Sequence, residues 1–292
     1  MASRSPQRVR WVLAAGVLCL SFAAILVRYA QAGPLAMAFW RKGLAALILL
    51  GVVLGQSRSQ PFRWSVHRRL LPYTLGTGLL LALHFGTWFA SLSLIPVASS
   101  LLLIATQPVW AAILGWLFLG DRITARGMLG IALAIGGIAF IASGDLGRFG
   151  SLWGDFLSLA AAMAASAYLT VGRHLRDQVP LPQYLFVVYA VAAVALCSGA
   201  LLAGQPLSGY DSRTWLMLGL MAVFPSTLGH NFVNYAVRHM ATYRVSLAIL
   251  VEPVVSTILA AILLSEVPQP LFYPGALLVF AGVILALWEK EG

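Results

Sequence analysis

Apolar positions in this chain run in long blocks rather than in the two-residue alternation of half-buried strands, and ten blocks approach the ~20 residues needed to cross a hydrocarbon core. They cover roughly 11–31, 34–55, 70–93, 96–119, 125–143, 151–172, 183–203, 214–237, 242–264 and 270–288. An isolated segment in lipid can satisfy its own backbone only as a helix, so the pattern predicts ten transmembrane α-helices. The joints carry breakers: Gly33-Pro34, Pro61, Ile95-Pro96, Gly120-Asp121, Gly144-Asp145, Gly204 to Gly209, and Pro268 with Pro270. None is long enough for a soluble domain.

The spans divide into two sets of five related by a constant offset of 145 residues. Without a gap, Ser21 lands on Ser166, Arg28 on Arg173, Pro108 on Pro253, Asp121 on Glu266, Gly130 on Gly275 and Gly137 on Gly282. The division predicts repeats over 1–146 and 147–292. An odd number of spans per repeat forces the second to enter the membrane from the opposite side, which makes the fold all-α with two inverted five-helix repeats and a site between them.

Composition agrees: hydrophobic residues make up 60% of the 292 and charged residues only 10%, with mean hydropathy +0.88. Soluble domains carry roughly 25% charge. The net charge of +10 does not point to nucleic acid, because no polar domain gathers the basic residues into a surface. It follows topology instead. With the N-terminus inside, the inner segments hold Arg4, Arg8, Arg10, Arg58, Arg63, Arg68, Arg69, Arg122, Arg126, Arg173, Arg176, Arg238, Arg244 and Lys290. The outer ones hold Arg148 and Arg213, with Arg28 near an outer end. Both termini are therefore expected in the cytoplasm and the protein in the cytoplasmic (inner) membrane. Basic residues, an apolar stretch and Ala30-Gln31-Ala32 imitate a cleaved signal, yet the run from Trp11 to Val27 is long for a signal core and its segment is the repeat partner of 156–176. Cys19 and Cys197 lie inside spans and read as packing residues.

Charges at membrane depth cost about 2.5–3.5 kcal/mol on insertion scales and usually face a cavity or a partner. The sequence places Arg41 and Lys42 in span 2 and Glu252 in span 9. Pro253 leaves the carbonyl of Ile249 without its helical donor, so Glu252 sits beside a loosened backbone. Two roles fit: a proton-coupling or substrate-contacting carboxyl, or an ion pair with Arg41 that fixes packing. His84 and Trp88 in span 3 lie one turn apart on one face. Span 8 offers His230, Asn231 and Asn234, and His84 falls one residue before the mate of His230. With Gln107 and Trp110 of span 4, these side chains could line a site for a small amphipathic solute, or hydrogen-bond neighbouring helices. Trp11, Trp64, Trp153, Trp215, Tyr273 and Trp288 lie near span ends, as interfacial anchors do. Gly127, Gly130, Gly137, Gly275 and Gly282 suit close helix packing, and Asp121 and Glu266 suit capping of the helices that follow them.

Gln107-Pro108-Val109 followed by Gly120-Asp121, Gly130 and Gly136-Gly137, together with Glu252-Pro253-Val254 followed by Glu266, Gly275 and Gly282, resembles the EamA-type signature of the drug/metabolite transporter superfamily. The resemblance spans essentially the whole chain. It implies ten helices, cytoplasmic termini, a central cavity formed mainly by spans 1, 3, 4, 6, 8 and 9, and export of a metabolite. Arg41 resembles an arginine often found in the first repeat of such proteins, while its partner position here holds Phe186.

The expected function is secondary transport of a small metabolite, such as an amino acid, by alternating access and without a cofactor; proton coupling through Glu252 and a static Glu252–Arg41 pair both stay open. An intramembrane enzyme would need a nucleophile with its base or a metal set, and the sequence has no His-Glu-x-x-His, no Gly-x-Ser-Gly and no close acidic pair within a span. A scaffold or sensor without flux is the third class. Topology is directly testable: in a cysteine-free background, Ser59→Cys should react with an impermeant thiol reagent from the cytoplasmic side and Ser265→Cys from the outer side. Labelling of both from one side contradicts the inversion.

Overall fold

A computed structural model describes residues 6–62, 64–143, 151–175 and 178–288. The predicted division at 146/147 and the charges Arg4, Arg63, Asp145, Arg148, Arg176 and Lys290 lie outside the described residues. The helices are α1 (Pro6–Tyr29), α2 (Pro34–Gly55), α3 (Trp64–Leu92), α4 (Val97–Ile104), α5 (Gln107–Leu119), α6 (Ala125–Ala142), α7 (Leu152–Leu175), α8 (Leu181–Leu202), α9 (Ser212–Met221), a π-helical segment (Ala222–Gly229), α10 (His230–Val237), α11 (Thr242–Ile249), α12 (Val251–Leu264) and α13 (Phe272–Leu287). Among the described residues, nine spans are long and apolar enough to cross a membrane, and α13 is a shorter tenth. The protein is a multi-pass membrane protein whose outward side chains, such as Phe118, Val194, Ile262 and Leu277, present an apolar exterior.

Prolines account for the interrupted spans. A proline cannot donate to the carbonyl four residues back and crowds it. Span 4 divides after Ile104, four residues before Pro108, and span 9 divides after Ile249, four before Pro253. These breaks are repeat partners. In span 8, α9 ends at Met221, four residues before Pro225, and the chain continues as a π-helix before α10. Position 80, the partner of Pro225, is a leucine, and α3 runs through it without a break. Asp211 caps α9 by accepting from the Thr214 N–H at 2.9 Å, and hydrogen bonding from Thr214 holds its carboxyl below the ordinary value.

The halves interlock rather than stand as separate bodies. α2 packs on α8 and α6 on α13, each helix against its repeat equivalent, and α5 packs on α11, the first piece of the equivalent span. α3 and α5 pack on α7, while the corresponding pieces of spans 8 and 9 pack on α1. The interface is thus exchanged by the repeat operation. Its tightest point is the crossing of α6 and α13. A Cβ on Gly130 would come within 2.6 Å of the Gly282 carbonyl oxygen, and one on Gly137 within 2.5 Å of that of Gly275. Gly130 meets the later glycine and Gly137 the earlier one, so these equivalent helices run antiparallel. That order identifies the repeats as inverted, because parallel repeats would bring equivalent helices together pointing the same way.

The acids after α5 and α12 do not cap the next helix. The cap of α6 is Thr124, which accepts from the Gly127 N–H at 3.0 Å, and α13 begins without a side-chain cap. Instead Asp121 pairs with Arg173, and Glu266 with Arg28. Both ion pairs join one half to the other, and both are related by the same offset of 145. The Arg173–Asp121 pair lies near the start of α6. The Arg28–Glu266 pair lies near the start of α13, beside the far end of α6. The Arg28 and Glu266 side chains are 58% and 46% exposed, whereas Arg173 and Asp121 are 25% and 12%.

The crossing supplies a stability test. Gly130→Ala should lower the melting temperature of the detergent-solubilised protein, because the new methyl meets backbone, an overpacking penalty of about 1–3 kcal/mol. Gly136→Ala, whose added methyl meets nothing within 4 Å, should leave it unchanged or raise it through better helix propensity. Equal melting temperatures for the two variants would contradict this account of the crossing.

Candidate functional site

The interior polar cluster forms around Phe85 of α3, a buried ring whose repeat partner is His230. The two rings meet edge-on with centroids 6.3 Å apart. Residues that touch their own repeat partner must lie close to the pseudo-twofold axis, so this contact marks the centre between the halves. Arg41 and Lys42 reach the same ring from α2, with the guanidinium carbon 5.0 Å and the ammonium nitrogen 5.1 Å from its centroid. Arg41 Nε donates to Ser226 Oγ at 3.1 Å, in the π-helical segment. Lys42 lies 4.6 Å from the Tyr189 ring centroid, and the Tyr189 hydroxyl donates to Asn231 Oδ1 at 3.4 Å.

His84 lies beside this centre. Its Nδ1 donates to the carbonyl of Ala161 in α7 at 2.9 Å, which fixes the orientation of the ring. The imidazole is parallel to the Trp88 indole, 8° between planes and 6.3 Å between centroids. Trp88 continues into a second stack with Phe89 at 5.1 Å. The Trp88 Nε1 donor is buried without a hydrogen-bond partner among the described residues. One face of α3 thus offers an aromatic wall with a polar edge.

The structure brings Arg41, His84, Trp88, His230 and Asn231 together and gives the other expected residues different surroundings. Asn234 is buried; its Nδ2 donates to the Tyr168 hydroxyl at 2.5 Å and to the His230 carbonyl at 2.8 Å, tying α10 to α7. Gln107 occupies the junction of α5, α7 and α11. Its Nε2 donates to Ser246 Oγ at 3.4 Å, and its carbonyl accepts from Ser166 Oγ at 2.8 Å. Trp110 turns back along its own helix, with Nε1 donating to Thr106 Oγ1 at 3.2 Å.

Glu252 sits half-buried in the first turn of α12, just past the break at Ile249. It and Arg41 act on each other electrostatically. Among the described residues the ion pairs within contact distance are those of Arg28 and Arg173, so Glu252 and Arg41 are not directly paired.

Sequence reasoning missed Phe85, Tyr189 and Ser226 as members of this cluster. Apolar and aromatic residues at helical spacing carry no signature of a polar site. Pro225 was the available clue to Ser226, since a proline inside a span forces a local rearrangement that places backbone and a hydroxyl where an ordinary helix would not. Two surface grooves, of about 480 Å³ beside Trp11, Val12 and Phe232 and about 300 Å³ between α2 and α8, contain none of the cluster residues named above.

Comparison with known proteins matches this architecture. The EamA-like transporter family matches twice, over residues 9–143 and 152–288. The chain is 27% identical over 265 residues to "Uncharacterized transporter YyaM" of Bacillus subtilis, covering 87% of this chain and 84% of that protein. It is 28% identical over 239 residues to "Probable amino-acid metabolite efflux pump" of Salmonella typhimurium, covering 77% and 80%. A solved crystal structure superposes with TM-score 0.81 over 96% of each chain at 18% identity, which establishes likeness of fold. With both halves matched by the family model and the helices in a matching arrangement, the chain belongs to the EamA-like transporter family.

Proposed function

We propose that this protein is a secondary exporter of a small metabolite, an amino acid or similar amphipathic solute, that works by alternating access in the cytoplasmic membrane with both termini inside. One observation carries the reading: a polar, cationic and aromatic cluster lies at the pseudo-twofold axis between repeat-related ion pairs at opposite ends of the bundle. A carrier needs a site between two closures that alternate, and equivalent closures at opposite ends are what an inverted repeat provides. The printed name of the Salmonella relative favours an amino-acid metabolite as cargo.

In this reading His84, Trp88, His230 and Asn231 contact the solute, with Gln107, Trp110 and Asn234 holding the supporting helices. Arg28–Glu266 closes the outer end and Arg173–Asp121 the inner end. Glu252, beside a helix break and free of a direct cation, carries a coupling proton. The hydroxyl of Ser256, one turn further along α12, donates to the Ser21 carbonyl of α1 at 2.9 Å, which ties movement of α12 to the opposite half.

Flux into and out of sealed proteoliposomes, with and without an imposed pH gradient, tests the carrier. Glu252→Gln should abolish dependence on the gradient while exchange of substrate continues, because the amide keeps size and hydrogen bonding but cannot titrate. Gradient-driven flux at the parental rate would remove Glu252 from coupling. The closures have their own readout, the accessibility of engineered cysteines near the axis to an impermeant reagent. Arg28→Ala should increase labelling from the outer side and Arg173→Ala from the inner side, by severalfold if each pair contributes about 1 kcal/mol to its closed state. Unchanged labelling in both would leave the pairs as static links.

A further inference from the structure

Lys42 is fully buried, and its side-chain nitrogen has no hydrogen-bond partner among the described residues. The rings of Phe85 and Tyr189 flank it, and the next charge in sequence, Arg41, is also a cation. Aromatic faces attract an ammonium but supply neither a counter-charge nor the acceptors its three donors require. A cation buried in this manner is costly unless it is paired. Among the described residues the ion pairs all lie at the ends of the bundle, so none offsets it directly. Trp88 Nε1, on the adjoining face of α3, is a second buried donor without a partner.

Unfilled donors on a buried lysine and indole, the neighbouring guanidinium of Arg41 and a run of aromatic rings describe the complement of a small anion with an apolar body. We propose that Lys42, assisted by Arg41, binds the carboxylate of the transported solute, while the wall of Phe85, Trp88 and Phe89 receives its apolar portion. This rests on the carrier reading and narrows it to solutes that carry a carboxylate. The repeat offers no second copy of the site: the positions equivalent to Arg41 and Lys42 hold Phe186 and Val187. One carboxylate is therefore held per protein, on the α2 side of the axis.

Four probes of similar shape separate the chemistries: 3-phenylpropanoate, L-phenylalanine, phenethylamine and phenyl phosphate. Their binding to the purified full-length protein in detergent is read by calorimetry and by the shift in melting temperature. The two carboxylates should bind and the amine should not. Lys42→Met keeps the length of the stem, and removing an unpaired buried charge should leave the melting temperature equal or higher. Carboxylate affinity should nevertheless fall at least about tenfold, because a buried charge-assisted contact is lost. Parental affinity in Lys42→Met, equal binding of phenethylamine, preference for phenyl phosphate, or no binding of either carboxylate would each overturn the assignment. Proteoliposome flux is measured separately. Carboxylate binding that depends on Lys42 without any flux retires the carrier and keeps the site, whereas flux unaffected by Lys42→Met retires the site and keeps the carrier.

Discussion

Two glycine pairs hold the architecture in register. In lipid, helices gain little from burying apolar surface against one another, so association depends on close van der Waals contact and on the polar groups that close contact brings together. At the crossing of α6 and α13 a single added methyl would meet carbonyl oxygen of the opposite helix. The crossing joins repeat-equivalent helices in antiparallel order. That one geometric fact sends Asp121 to one end of the bundle and Glu266 to the other, each within reach of an arginine from the opposite half. The glycines make neither ion pair, yet their crossing determines at which end each pair lies.

Prolines act against this rigidity at chosen points. Pro108 and Pro253 divide equivalent spans, whereas Pro225 has no equivalent and produces the π-helical segment in one half alone. The unmatched break faces the unmatched charges, since Ser226 receives Arg41 and accepts through its carbonyl from the Tyr189 hydroxyl at 3.3 Å. A symmetric scaffold provides two equivalent ion pairs, and departures from symmetry concentrate in the polar centre between them.

Most of the fold was legible in the sequence because lipid permits few solutions. Once the apolar runs reach span length, helix is compulsory, and the offset of 145 with an odd span count dictates inversion. The breaks at Ile104 and Ile249 follow directly from proline chemistry. Less could be read about what polar side chains do. Asn234 and Gln107 look like lining residues in one dimension but reach Tyr168 and Ser246 across helices. Asp121 and Glu266 look like helix caps until the chain folds back and presents each with an arginine about fifty or more than two hundred residues away. Partner choice between distant helices depends on rotation and depth, which hydropathy does not encode.

The centre shows how the repeat makes one site from two unlike halves. Phe85 and His230 occupy equivalent positions and meet at the axis, so each half contributes the same locus with different chemistry. The first half adds two cations beside its phenylalanine. The second adds Glu252 where the first has Gln107, a pair equivalent by the same offset. Basic side chains therefore enter from α2 and an acidic one from α12. The polar centre is therefore where the two repeats have ceased to match, while the glycine crossing that sets the register of the bundle keeps the repeat.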